Sequence, residues 1–239
     1  IYADRLVDVP MALKAFQRAV ELRPDDAQGF QQLASAHQAA GSLTEARAAL
    51  DRAVEIDPED AHAQHALALV LEGLGDREAA LTTMERAAEL DPTLAEARRD
   101  LARLYSSRGL LEAAVRQADK AAELAPEDAE ARRAFGLLKW QAGDAEAALG
   151  ALEEAIGLAP AAPHLRVELA ELYGVKGWFD EALEQSQEAV RLAPDNAYYR
   201  SLLGGMLRRA GRLDEAANVL AHALSQDPSC GQAYLELGR

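Results

Sequence analysis

"LAPDNAYYRSLLGGMLRRAGRLDEAANVLAHALSQDP", residues 192–228, is the stretch that decides the fold. It holds Ala-Pro-Asp near its start, Gly-Arg-Leu-Asp-Glu-Ala in its middle and Gln-Asp-Pro at its end. Close variants of the same words occur upstream. Pro24, Pro58, Pro92, Pro126, Pro160, Pro194 and Pro228 stand 34 residues apart, with no insertion to disturb the step. A fixed period of this length marks stacked supersecondary units, none of which can bury its apolar face alone.

Other columns keep the same step. Glycine recurs at Gly41, Gly75, Gly109, Gly143, Gly177 and Gly211, and alanine at Ala46, Ala80, Ala114, Ala148, Ala182 and Ala216. A second alanine column runs Ala53, Ala87, Ala121, Ala155, Ala189 and Ala223. Leu33, Leu67, Leu101, Phe135, Leu169 and Leu203 form a large apolar column. Each unit therefore reads as two helices. Leu67, Val70, Leu71 and Leu74 fall at helical spacing. The glycine closes the first helix in a left-handed conformation. Acids such as Asp76, Glu78, Asp214 and Glu215 open the second helix, where its dipole favours them. The alanines allow close helix approach, and the proline stops the second helix.

Composition agrees. Of 239 residues, 49% are hydrophobic but only 5% aromatic, so alanine carries much of the apolar content. The one cysteine, Cys230, excludes an internal disulfide framework. No apolar run approaches the roughly 18 residues that span a bilayer. The net charge of −15 repels nucleic acid and anionic membranes at long range. Arginine far outnumbers lysine, which points to a GC-rich bacterial source. A cytoplasmic location is expected, with the periplasm open because the chain starts at Ile1.

These columns resemble the tetratricopeptide repeat (TPR) family, whose pattern has a small residue at repeat position 8, an aromatic near 11, alanines at 20 and 27 and proline at 32. Position 8 here is Ala34, Ala68, Ala102, Gly136, Ala170 and Gly204, while Tyr105 and Tyr173 keep the aromatic. The resemblance covers the chain: full repeats at 27–60, 61–94, 95–128, 129–162, 163–196 and 197–230, flanked by partial repeats at 1–26 and 231–239. It implies an all-α, right-handed superhelical solenoid of helix-turn-helix units, read as one domain over 1–239. The chain departs from the family at position 4, where Gln64, Arg98, Arg132, Arg166 and Arg200 replace the usual large apolar residue. Charged residues there are expected to lessen local burial.

The resemblance also implies a concave groove lined by positions 2, 5, 9, 12 and 13 of the first helices, which in this family usually binds protein or peptide. On that count Arg99, Arg103 and Arg133 face one stretch of groove. Repeat 95–128 holds six basic residues against seven acidic, whereas the two repeats before it hold two against six each, so the basic cluster stands out. One reading is neutralisation by Glu96, Asp100 and Glu130; the other is an anchor for an acidic segment of a partner, for which arginine's planar fork is suited. The lysine and asparagine set of the family's chaperone-tail clamp is absent in every register. Trp140 and Tyr198 are expected to look into the groove, as binding anchors or as rings lying over neighbouring helices. Phe179 is expected in the core and Trp178 at the surface. His62 and His65, three apart and near Glu96, are expected to be solvated groove residues in preference to a metal site.

The glycines follow the repeat period and make no phosphate loop, and no nucleophile-histidine-acid arrangement is signalled. The sequence thus predicts a non-enzymatic scaffold without cofactors that binds another protein. Two rivals stand beside it: a docking domain of a larger enzyme, such as a glycosyltransferase, or of a polysaccharide export or secretion protein; and a self-assembling solenoid. "GQAYLELGR" starts another repeat in register and stops in mid-helix, and "IYADRLVDVP" begins part-way through one. Both counts predict an internal part of a longer protein, with end-to-end association if Tyr234, Leu235 and Leu237 stay open.

Overall fold

The computed structural model describes residues 9–239, which form fourteen helices and, among the described residues, no strand. The chain divides into two compact units, residues 1–124 and 125–239. In the first lie α1 (Val9–Leu22), α2 (Ala27–Ala39), α3 (Leu43–Ile56), α4 (Ala61–Gly73), α5 (Arg77–Leu90), α6 (Ala95–Ser107) and α7 (Leu111–Leu124). In the second lie α8 (Ala129–Gln141), α9 (Ala145–Leu158), α10 (Pro163–Lys176), α11 (Phe179–Leu192), α12 (Ala197–Arg209), α13 (Leu213–Gln226) and α14 (Gly231–Leu237). Each full repeat is one helix pair, and the predicted repeat boundaries fall at the start of α2, α4, α6 and α8, and at or next to the start of α10, α12 and α14. The N-terminal words of the first partial repeat, residues 1–8, lie outside the described residues.

The turns follow from their residues. All six glycines of the glycine column have positive φ, from 74 to 85°, the left-handed region that glycine enters without a Cβ clash. At the inter-repeat turn Asp60 caps α4, its Oδ1 accepting from the amides of His62 (2.9 Å) and Ala63 (3.1 Å). The Asp-Pro turns carry a second local bond, as where Asp91 Oδ1 accepts from the amide (2.8 Å) and hydroxyl (2.7 Å) of Thr93. These bonds from Thr93 hold the Asp91 carboxyl below the usual aspartate value.

The residue after the column glycine is the N-cap of the second helix. Asp76 and Asp144 fill it and accept from the amides of Ala79 and Ala147, each at 3.3 Å. Trp178 occupies the same place in α11 and makes no cap bond. Trp178→Asp is therefore expected to stabilise the second unit by about 0.5–1 kcal/mol, read as a higher urea midpoint. An unchanged or lower midpoint would show that the tryptophan's packing outweighs a cap. Its indole lies 5.8 Å from the Tyr173 ring, centroid to centroid, and is 46% exposed, as expected for it. Phe179 differs from expectation: it is half-buried, with the Arg209 guanidinium 5.6 Å above its ring centroid.

Packing runs from repeat to repeat. Both alanine columns are buried throughout. In the first unit Leu33, Leu50, Leu67, Val70 and Leu71 join α2, α3 and α4 in one core, and Met84, Leu94, Leu101 and Leu104 join α5 to α6. In the second unit Leu149, Leu152, Leu169 and Leu172 do the same for α9 and α10, and Leu183, Leu203, Met206 and Leu207 for α11 and α12. Each core is shared by successive repeats, which is why a single pair cannot stand alone.

The position-4 column corrects the expectation of lowered burial. Arg98 is only 8% exposed, and Arg132, Arg166 and Arg200 are half-buried. The reason is geometric. Six residues upstream lies the proline of the preceding turn, whose carbonyl needs a donor. Arg98 Nε donates to Pro92 O at 2.7 Å, Arg200 Nη2 to Pro194 O at 2.8 Å, and Gln64 Nε2 to Pro58 O at 3.4 Å. The other side of the guanidinium reaches the following helix: Arg98 Nη1 donates to Gln117 Oε1 and Arg166 Nη1 to Gln185 Oε1, both at 2.9 Å. Arg98 and Arg200, which also reaches Gln226, thus staple a turn to a helix, while the Nε of Arg166 is buried without a partner.

Candidate functional site

Residues locked into the frame leave positions 2, 5, 9, 12 and 13 of the first helices to carry the chain's individuality. In the first unit, α4 and α6 bring His65, Asp100, Arg103 and Glu72 into one network. His65 Nε2 lies 2.9 Å from Asp100 Oδ2, with both side chains largely buried. Arg103 grips Glu72 through both terminal nitrogens, Nη2 donating to Oε2 at 2.6 Å, and approaches Asp100 at 3.7 Å. Burial alone would raise the Asp100 carboxyl; the His65 bond and the charges of His65, Arg103 and Arg99 outweigh it and hold it below the ordinary value.

In the second unit, α8 and α10 make a parallel arrangement. Arg133 donates from Nε (2.9 and 2.8 Å) and Nη2 (2.5 Å) to Glu168, and from Nη1 to Glu130 at 3.1 Å. His164 Nε2 lies 2.9 Å from the other oxygen of Glu130. Trp140 is half-buried and packs on Ala148, Leu149, Leu152, Leu169 and Leu172, so it lies over neighbouring helices. Tyr198 is 48% exposed and stands with its ring 6.0 Å from that of Tyr199.

The candidate residues are thus placed in two networks. Arg99 and Arg103 belong to α6 in the first unit, and Arg133 to α8 in the second. Arg103 and Arg133 already hold carboxylates of this chain. Asp100 and Glu130 do part of that, as the neutralising reading anticipated, but Glu72 and Glu168 carry most of the bonds. His62 is exposed, as expected, whereas His65 is not a solvated residue: Asp100, and not Glu96, has drawn it in. Among the described residues no three histidine, cysteine, aspartate or glutamate side chains gather as a metal site would require. The missed partners had a signal. His65 with Asp100 and Arg133 with Glu168 are both 35 apart, position 5 of one repeat to position 6 of the next.

In the second unit a cavity of about 470 Å³ opens beside α10, α12 and α14, lined by Glu171, Val175, Leu202, Gly205, Met206, Arg208, Arg209, Gln232, Glu236 and Arg239. Arg208 donates to Glu236 from Nε at 3.1 Å and Nη2 at 3.0 Å. Arg209 Nη2 donates to the Gly174 carbonyl. No helix of the described residues is long and apolar enough to cross a membrane.

Comparison with known proteins fits this geometry. A tetratricopeptide repeat model matches residues 8–70, 71–136 and 139–205, and a second one residues 207–239. No curated protein matches the sequence. Among solved structures, PilW, described as a widely conserved type IV pilus biogenesis factor, is similar with a TM-score of 0.80 at 19% identity, over 88% of this chain and 98% of its own. PilF of Pseudomonas aeruginosa is similar with a TM-score of 0.75 at 21% identity, over 89% and 96%. YrrB, described as a TPR protein with an unusual peptide-binding site, gives 0.64 at 22% identity, over 80% and 98%. At these identities the likeness is one of fold. By the repeat models that run across it, the chain belongs to the tetratricopeptide repeat family.

Proposed function

We propose that the chain is a non-enzymatic scaffold that binds a partner protein or peptide along the first-helix face of its repeats. The observation that carries this reading is the contrast between columns. Positions 8, 20 and 27 hold small residues that fix the frame, while positions 2, 5 and 9 change in charge and size from repeat to repeat and still present exposed groups, Arg103 and Tyr198 among them. A constant frame with a varied face is the arrangement of a recognition surface.

For Arg99 and Arg103 in the first unit, and separately for Arg133 in the second, the guest is an acidic segment. Such a segment exchanges with Glu72 in the first unit or with Glu168 in the second, so binding at either depends on swapping one carboxylate for another. This keeps the affinity modest and sensitive to salt, since exposed charges are screened within about 8–10 Å at physiological ionic strength. The triple variant Arg99→Ala, Arg103→Ala, Arg133→Ala is expected to bind the captured partner about tenfold more weakly, while circular dichroism keeps its helical signal. Unchanged affinity in the triple variant would remove the acidic guest and leave the scaffold. Failure of the first-helix face to capture any protein would remove the scaffold itself.

A further inference from the structure

One arrangement of four side chains is built twice on the first-helix face. In the first unit Asp100 and Arg103, three apart on α6, meet His65 and Glu72 of α4. His65 Nε2 lies 2.9 Å from Asp100, and Arg103 grips Glu72 while approaching Asp100 at 3.7 Å. In the second unit Glu130 and Arg133, three apart on α8, meet His164 and Glu168 of α10. His164 Nε2 lies 2.9 Å from Glu130, and Arg133 holds both Glu168 and Glu130. Each network runs histidine, acid, arginine, acid. The repeat period does not account for this, because the histidine stands at position 5 in one network and position 2 in the other, and the arginine at 9 and 5. The two differ in exposure. The His65 and Asp100 side chains are 13% and 16% exposed, those of His164 and Glu130 43% and 47%, so charges couple more strongly in the first unit.

With a neutral histidine, each network counts two carboxylates against one guanidinium. A proton on the ring removes that excess, and histidine is the side chain whose ordinary charge change falls between about pH 5 and 8. The charged surroundings of His65 are few. α6 contributes Asp100, Arg99 and Arg103, and α4 itself contributes His62 and Glu72. α2 carries no acid or base besides His37. α3 and α5 pack on the opposite side of α4, through Leu67, Val70 and Leu71, and send no charged group to the ring. Asp100, whose carboxyl is held below the ordinary aspartate value, stays ionised through that range. The ring proton is therefore what alters the charge beside Arg103 as the solution is acidified.

We infer that His65 is a proton switch for the first unit: its protonation tightens the hold of Arg103 on an acidic guest. This rests on the acidic-guest reading of Arg103 and names the regulation of that site. A guest carboxylate brings a further negative charge to a site that already contains Asp100. With the ring neutral, Arg103 serves Asp100 as well as the guest. With the ring charged, Asp100 has a cation of its own and Arg103 is left to the guest. Glu72 is present in the free and the bound state alike, so only the guest's charge enters the balance. Binding and protonation then favour each other by the same factor, as linkage requires.

The test uses the nitrogen-15-labelled full chain and the peptide N-acetyl-Asp-Asp-Ala-Asp amide, whose carboxylates stay ionised down to about pH 5.5. Its asparagine analogue is the neutral control. The amides of Asp100 and Arg103 report binding, and the ring nitrogens of His65 report its proton. The aspartate peptide is expected to bind about fivefold more tightly at about pH 5.5 than at about pH 8, the size of one added charge near the surface. A saturating concentration of it is expected to make the His65 ring keep its proton to higher pH. His65→Gln keeps a donor for Asp100 but takes no proton, so the variant should bind at both pH values as the parent does at the higher one. His62→Gln, on the exposed side of the same helix, should leave the fivefold ratio in place. Glu72→Gln removes the internal competitor and should bind more tightly at both pH values, with the ratio kept. Equal affinity at the two pH values, a ratio that survives in His65→Gln, or a ring titration unmoved by the peptide would overturn the switch while the acidic guest stands. No saturable shift at either pH, even in Glu72→Gln, or equal binding of the asparagine peptide, would overturn the guest and the switch together.

Discussion

Leu220→Ala is expected to lower the stability of the second unit by about 2–5 kcal/mol, the range for truncating a fully buried leucine. Leu220 of α13 is 2% exposed and lies directly against Gly204 of α12. A Cβ added at Gly204 would stand 2.6 Å from both Cγ and Cδ2 of Leu220. Gly204→Ala alone should therefore cost about 1–3 kcal/mol by overpacking. The informative result is the pair. With Leu220 cut back, the alanine at 204 has room, so the double variant should lose clearly less than the sum of the two single losses. Urea titration of the four proteins gives the coupling. Strict additivity would mean that the two helices part instead of repacking, and would contradict the account of the position-8 column. At the equivalent repeat positions of 95–128 stand Ala102 and Ala118, two small residues that are both fully buried.

Arg98→Ala is expected to cost about 2–4 kcal/mol in the first unit, unusually much for an arginine. Its buried stem packs, its Nε serves the Pro92 carbonyl, and its Nη1 serves Gln117. Removing it leaves a turn carbonyl and an amide oxygen without their donor and opens space beneath them. Arg98→Gln separates the causes. The chain itself uses glutamine for this purpose at Gln64, where Nε2 reaches the Pro58 carbonyl. The glutamine variant should recover a large part of the loss. If alanine and glutamine cost the same, the bond to the turn is not what holds the arginine in place.

The frame was legible because its causes are local and repeated. A positive φ demands glycine, a stopped helix tolerates proline, and close helices demand alanine, so Gly143, Pro160 and Ala148 announce their roles without a structure. Position 4 was misread for a related reason. Arg98 looks like a surface residue by type, and only the path of the preceding turn shows that a prolyl carbonyl waits six residues back. The binding face was legible in part. Its positions follow from the register, but the pairing of Arg133 with Glu168 or His65 with Asp100 depends on how one repeat leans on the next.

The central claim is that the first-helix face, and not the outer helices, meets the partner. The most direct measurement places the photo-crosslinker benzoylphenylalanine at Tyr198 on α12 and, separately, at Gln187 on α11, and irradiates each protein in extract of its source cells. Both sites are exposed, so the substitution itself is mild. The account predicts one dominant protein adduct from position 198, lost on adding unlabelled chain, and none from position 187. Adducts from position 187 alone, or equal adducts from both, would contradict it.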